Sequence, residues 1–246
     1  MDTEGRVALV TGSARRLGKA IALGLARAGA HIAVHHHASP ENASATVVEL
    51  ERLGVDASAF TADLRDPAQI SDLFESIERT FGRLDILVNS AATFEHAPVL
   101  EIRAEDWDRV MSLNLRAPFL CGQQAARMMR SGGSGLGKII NMADVGAFEA
   151  WPGYVHHCVS KAGLVMLTRA MARALAPDIL VNAVAPGTVL PADTASEEEL
   201  AELAAMTPLG RLGTPDDAVR AVLFLVESDY VTGETLVVDG GKRLKR

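Results

Sequence analysis

Three side chains within the stretch Asn141–Lys161, NMADVGAFEAWPGYVHHCVSK, could move a proton. His157 and Lys161 are four residues apart, so on a helix they share one face, one turn above the other. Asp144 stands thirteen residues before His157, on a predicted loop. A carboxylate, an imidazole and an ammonium gathered where a strand passes into a helix can form an acid–base centre. The same residues also describe an ordinary solvated helix start, so the rest of the chain must decide.

The elements around them can be read from periodicity. The run Arg6-VALV-Thr11 predicts a buried strand; Gly12-Ser13-Ala14-Arg15-Arg16-Leu17-Gly18 follows, and KAIALGLARAG predicts a helix stopped by Gly29. Strand, glycine turn and helix place backbone N–H groups and the positive end of a helix dipole where a dinucleotide pyrophosphate could sit. HIAVHHH (His31–His37) predicts the second strand, a helix runs from Pro40 to about Leu53, and DASAFTADL is a third strand with Asp63 at its end. PAQISDLFESIERTFG is a third helix and ILVNSAAT (Ile86–Thr93) a fourth strand. A long helix is predicted from about Ala104 to Met129, with the glycine-rich turn SGGSGLG leading into strand KIINM (Lys138–Met142). A helix Tyr154–Leu175, strand ILVNAVAPG, a polar acidic segment at about 188–213, a helix at about Pro215–Glu227 and strand TLVVDGG complete the order.

Such alternation predicts an α/β fold: one doubly wound (Rossmann) seven-stranded parallel sheet with helices on both faces, a single domain over residues 1–246. Right-handed crossovers then bring every strand's polar end to one edge. Gly12, the His35–Ser39 region, Asp63, Asn89, Asp144 and Pro186-Gly187 would meet there. Composition agrees: 48% hydrophobic and 22% charged residues in 246 suit one globular domain. A net charge of −7 gives no support for a nucleic-acid partner, and no apolar run approaches a membrane span. The basic end KRLKR (Lys242–Arg246) reads as a solvated tail. Two cysteines, Cys121 and Cys158, make no disulfide framework; with no leader at Met1–Arg6, a cytoplasmic protein is expected. Cys158 reads as a small buried helix residue rather than a nucleophile.

With these features in place the chain resembles the short-chain dehydrogenase/reductase family along nearly all its length. The likeness rests on Thr11-Gly12…Gly18, Asp63, Asn89-Ser90-Ala91-Ala92 where the family has Asn-Asn-Ala-Gly, Asn114 in MSLNLRAPF, Lys161, Pro186-Gly187 and Val238-Asp239-Gly240-Gly241. Within the family it is most similar to the pteridine reductases, including the dihydromonapterin reductase type. Arg16 replaces the middle glycine of the turn, HHHAS ends the second strand, Phe94 follows Asn89 by five residues, and Asp144 stands where most of the family has serine. The resemblance implies a cofactor cleft built from Gly12, Arg16, Leu17, Gly18, His37, Ser39, Asp63, Leu64, Asn89, Ser90, Ala91, Lys161, Pro186 and Gly187. It implies that Phe94 and Tyr154 line the substrate pocket, that Asn114 kinks its helix and holds a water in a relay to Lys161, and that residues 188–213 form a lid. A homotetramer built on the two long helices is implied as well.

NADP(H) is the expected cofactor. An acid after the second strand would bind a ribose 2′-hydroxyl and repel a 2′-phosphate; none occurs between His31 and Pro40. Arg16, His37 and Ser39 offer donors instead, although Ala38 stands where the family carries a stronger arginine. A zinc site at His35–His37 is the competing reading, but no Cys, Asp or Glu neighbour completes a ligand set, and no metal is expected.

The departure lies at the family's Tyr-x-x-x-Lys, which here reads His157-Cys158-Val159-Ser160-Lys161. Three readings follow. His157 is itself the acid, an imidazole with an ordinary pKa near 6.5 where a phenol has about 10. Alternatively Asp144 or a water delivers the proton and His157 shapes the pocket, which suits a pterin-like C=N substrate. In the third, hydride transfer is feeble or lost and the protein binds a nucleotide for other ends. The expected activity is reduction of a pterin-like or carbonyl small molecule by NADPH, with Asp144, His157, Lys161 and Asn114 at the reacting end.

Overall fold

The computed structural model describes residues 1–132, 136–191 and 195–244. Its strands are β1 (Val7–Val10), β2 (His31–His36), β3 (Ala57–Thr61), β4 (Ile86–Asn89), β5 (Gly137–Met142), β6 (Ile179–Pro186) and β7 (Thr235–Val238). They form one seven-stranded sheet in the order β3-β2-β1-β4-β5-β6-β7, parallel throughout. The expected doubly wound architecture is therefore the observed one. The order reverses between β1 and β4, which opens a crevice at the carboxyl ends of those two strands.

The period-2 alternation of the strands sorts their side chains into two cores. Ala8, Val10, Val34 and Val88 pack with helices α1 (Arg16–Arg27), α2 (Pro40–Glu51) and α8 (Pro215–Glu227). Leu9, Leu87, Ile139 and Val181 face the other way, against α3 (Pro67–Phe81), α5 (Ala117–Ser131) and Met171 of α6 (Val155–Leu175). Both layers are dry, so the sheet is a rigid platform and only its edges meet water.

One expectation is corrected here and one stretch is resolved in detail. The helix foreseen from Ala104 to Met129 is not one regular helix: α4 (Ala104–Met111) passes through a π-helical segment at Ser112–Arg116 before α5 begins. A π segment admits one extra residue per turn, and Asn114 lies inside it. Second, the histidines of the His35–His37 run are not alike: His35 and His36 are buried while His37 is exposed. His35 is buried; its Nδ1 accepts the N–H of Gly12 at 3.0 Å and its Nε2 pairs with the carbonyl of Ala62 at 3.1 Å. His36 bonds Thr61 Oγ1 at 2.8 Å, and among the described residues no cluster of metal-ligating side chains occurs. Of the glycine-rich turn, residues 133–135 fall outside the described residues.

His35 thus fastens the phosphate-type turn after β1 to the end of β3. Burial holds its pKa down at about 4, against 6.5 in an open chain, with neighbouring histidines adding to the effect. Between those two values the unfolded chain binds a proton that the folded one refuses, so stability must fall with acidity across that window. Chemical unfolding should show a loss of about 3 kcal/mol from pH 7 to the acid side of the window. His35→Gln, which cannot charge, should flatten that dependence; an unchanged slope would refute the assignment.

Candidate active site

A cleft of about 1200 Å³ runs along the carboxyl edge of the sheet. Gly12, Arg16, Leu17 and Gly18 line one side, and His37, Ser39, Asp63 and Leu64 line one end. Ser90, Ala91, Pro186 and Gly187 form the middle, and Asp144, His157, Lys161, Phe94 and Tyr154 the other end. Asn89 and Asn114 do not line it. The Asn89 amide is buried and donates to Asn141 Oδ1 at 2.9 Å, and Asn141 donates to Thr168 Oγ1 at 2.9 Å, so this pair ties β4 and β5 to α6.

The turn after β1 is shaped by two glycines. Gly12 takes φ +68°, and a methyl group on Gly18 would lie 2.5 Å from the Gly12 carbonyl oxygen. Arg16 also has a positive φ, 53°, which costs a side-chain-bearing residue free energy and fits its standing where the family has glycine. Its guanidinium donates to the carbonyls of Leu190 and Pro191 at 3.3 and 3.4 Å. Thr11 Oγ1 accepts the N–H groups of Ser90 and Ala91, closing the floor of the crevice.

At the His37 end, Asp63 is clamped by Arg65, whose Nε and Nη2 lie 2.9 and 2.8 Å from its two carboxylate oxygens. That guanidinium takes the Asp63 pKa down to about 2. Arg65 escaped the sequence reading, although an arginine two residues after an acid is a recognisable pattern. With Asp63 neutralised and no carboxylate at the end of β2, Arg15, Arg16, His36 and His37 leave this end receptive to a phosphate. The side chains present therefore fit NADP(H).

The reacting end is built by β5 and the first turns of α6. His157 Nε2 lies 2.7 Å from Asp144 Oδ2, and Asp144 Oδ1 accepts the N–H of Gly146 at 2.8 Å. Asp144 is the more open partner, its side chain 22% exposed against 3% for His157. The other ring nitrogen of His157, Nδ1, is buried without a partner, so the ring's exchangeable proton belongs on Nε2, facing Asp144. Burial works to raise the Asp144 pKa, but the His157 hydrogen bond and the Lys161 charge outweigh it and hold the carboxyl below its ordinary range. Lys161 is buried and donates to the Met142 carbonyl at 2.7 Å; burial lowers its pKa while Asp144 opposes the shift. The i,i+4 pair and the distant aspartate thus come together as their spacing suggested.

Asn114 donates to Thr93 O at 3.0 Å and to Ser160 Oγ at 3.2 Å, and accepts from Thr93 N at 2.9 Å. Ser160 in turn donates to the carbonyl of His157. Asn114 therefore fixes the 90–94 loop to the helix turn that carries His157. Around the dyad stands an aromatic wall. Phe94 stacks on Tyr154 with centroids 4.3 Å apart and meets His157 edge-on at 4.7 Å. Trp151, which sequence reasoning passed over, lies parallel to His157 within 4° at 6.3 Å; a tryptophan between Asp144 and His157 in sequence was its only signal. The expectation of a solvated tail is corrected for its first two residues: Lys242 lines the cleft with its ammonium 5.6 Å from the Trp151 ring, and Arg243 sits over Phe148, while residues 245–246 fall outside the described residues. A cation finds more on a ring face than in open water alone. Cys158 is half-buried rather than buried, and both cysteines are free thiols.

A parallel sheet whose switch point carries a glycine turn, with an acid–base group across the crevice, defines a dinucleotide-dependent enzyme scaffold. Residues 12–243 match the family described as Enoyl-(Acyl carrier protein) reductase. The chain is 37% identical over 239 residues to 3-oxoacyl-[acyl-carrier-protein] reductase of Staphylococcus aureus, spanning 95% of this chain and 96% of that one. It is 39% identical over 245 residues to 2-dehydro-3-deoxy-D-gluconate 5-dehydrogenase of Escherichia coli, at 97% and 95% coverage. A gluconate 5-dehydrogenase from Burkholderia cenocepacia, solved with NADP and tartrate, superposes with a TM-score of 0.90 at 34% identity over 98% of this chain and 96% of that one. The chain belongs to the short-chain dehydrogenase/reductase family. These relatives are dehydrogenases and reductases, and none of the three is a pteridine reductase.

Replacing Gly18 by Ala drives a methyl into the Gly12 carbonyl, with backbone rather than a flexible side chain in the way. The variant should lose about 1–3 kcal/mol of stability, read by thermal unfolding. Unchanged stability would mean that the turn is looser than drawn.

Proposed function

We propose that this protein is an NADPH-dependent reductase of a small carbonyl compound, with Asp144 and His157 acting as one proton-handling unit. The 2.7 Å contact between them, beside buried Lys161 and at the end of the cleft, carries this reading. Leu17 and Gly18 would receive the pyrophosphate on backbone N–H groups, with Gly12 letting the chain approach it closely, Arg16, His37 and Ser39 the 2′-phosphate, and Asp63 and Leu64 the adenine side. Ser90, Ala91, Pro186 and Gly187 would flank the nicotinamide, with Asn89 supporting them from behind. NADPH when bound supplies the hydride. Lys161, fixed on the Met142 carbonyl, keeps donors for the ribose and adds positive charge where a substrate oxygen becomes negative.

The proton that this oxygen needs comes from solvent: Asp144, the partner open to the cleft, directs a water at the oxygen, His157 holds the carboxylate through its Nε2–H, and bulk solvent neutralises the hydroxide left behind. Asn114 positions this turn of α6. Phe94 and Tyr154 line the substrate pocket. A pterin-like C=N substrate is the second reading, favoured by the aromatic wall; Tyr154 already covers one face of Phe94, so an incoming ring must use the other. Residues 188–213 serve as a lid, its helix α7 (Glu197–Ala205) capped by Ser196 and Glu199; residues 192–194 fall outside the described residues.

Cofactor fluorescence with turnover across carbonyls, quinones and pterins tests the reading. NADPH binding without any oxidation would instead support a nucleotide-binding protein with no dehydrogenase role. Asp144→Asn and His157→Ala should each lower kcat by at least about a hundredfold with NADPH affinity retained.

We also propose a homotetramer in the cytoplasm. Phe119 and Met166 stand exposed on α5 and α6 beside a groove of about 1120 Å³, which supports burial there by other copies. Light scattering should give about four times 26.1 kDa, and Met166→Glu should yield smaller species.

A further inference from the structure

We propose that Lys242 anchors a carboxylate of the substrate, which makes the preferred substrate a small oxo-acid anion. This rests on the reading of the Asp144–His157 cleft as a reductase site.

Lys242 opens a short terminal turn, Lys242–Leu244, which Asp239 holds in place. Its Oδ1 accepts the Gly241 N–H at 2.8 Å, its Oδ2 the Arg243 N–H at 3.0 Å, and its carbonyl the Lys242 N–H at 3.2 Å. Arg243 rests on Phe148, its guanidinium 5.3 Å from the ring centroid. The backbone beneath Lys242 is therefore fixed against the loop that also carries Asp144.

The charges at this end of the cleft are otherwise accounted for. Asp144 is paired with His157, and Glu95 with Arg109. Lys161 points at the Met142 carbonyl with Asp144 as its electrostatic partner. Lys242 alone among the cations here meets only the face of Trp151, and no carboxylate among the described residues pairs with it. A ring face satisfies the charge but accepts none of the three N–H bonds well, so the ammonium keeps donors for an anion entering the cleft. Lys242 and His157 both neighbour Trp151: the ammonium lies 5.6 Å from its ring centroid and the imidazole 6.3 Å, parallel to it. One aromatic ring thus sets the spacing between the anchored carboxylate and the carbonyl to be reduced. Phe94 and Tyr154, stacked on each other, stand 6.3 and 6.2 Å from the same Trp151 ring and take up space beside it, which favours short chains.

Pyruvate, acetoacetate and levulinate, each beside its methyl ester, test this with NADPH, and calorimetric titration of the same compounds into the NADP⁺-loaded protein gives affinity without turnover. The wild type should favour at least one acid over its ester, in kcat/KM and in Kd. Lys242→Met should reduce that preference about tenfold or more, chiefly through KM, and Lys242→Arg should restore most of it. No preference for any acid, or a preference untouched in Lys242→Met, overturns the proposal. If no compound is turned over, the reductase reading fails, while the calorimetric acid-to-ester comparison still decides the anchor.

Discussion

Where parallel strands stop, their last N–H and C=O groups lose their ladder partners, and in this molecule several buried polar side chains answer that constraint. Thr11 takes the N–H groups after β4, His35 takes that of Gly12, and Lys161 covers the carbonyl at the end of β5. Asn182 does the same between β6 and β7, accepting the N–H of Glu234 and donating to Val231 O. His35 and Lys161, which line the crevice, thus have their positions set by backbone accounting before any ligand arrives. A site built this way is preorganised, because the bonds that hold it are those that hold the sheet.

Upon that frame the electrostatics divide sharply. At one end an arginine neutralises Asp63, leaving a surface of guanidinium and imidazole groups. At the other, a carboxylate, an imidazole and a buried ammonium share little solvent, so the charge of each sets the cost of the others. Asp144 stays ionised despite burial because His157 and Lys161 surround it, and Lys161 remains tolerable inside the protein because Asp144 lies near. Removing any one would leave the remainder uncompensated in a medium of low polarity.

Much of this was legible beforehand for simple reasons. Strands buried on both faces read as short apolar runs, and helices on a sheet read at period 3.6, so the alternating order and the shared carboxyl edge followed. His157 and Lys161 were legible because i,i+4 spacing on a helix is geometry. The π segment at Ser112–Arg116 was not, since an extra residue in a turn leaves no mark in hydrophobic periodicity. Nor was the role of His35: its ring is consumed by the N–H of Gly12 and the carbonyl of Ala62, partners that only the sheet brings near. Lys242 misled for the opposite reason, because a short basic run looks solvated until Trp151 and Phe148 are placed beneath it. Asn89, a strong motif residue, faces Asn141 rather than the cleft.

Arg16 leaves one consequence. Its guanidinium reaches from the glycine turn to the carbonyls of Leu190 and Pro191, at the start of the acidic segment. A side chain shared by two places makes their free energies a single quantity: whatever dinucleotide binding at the glycine turn contributes to holding Leu190 and Pro191, their attachment returns to dinucleotide affinity in equal measure. Sequence drift near those two residues can then retune the grip on the cofactor without altering a residue that touches it.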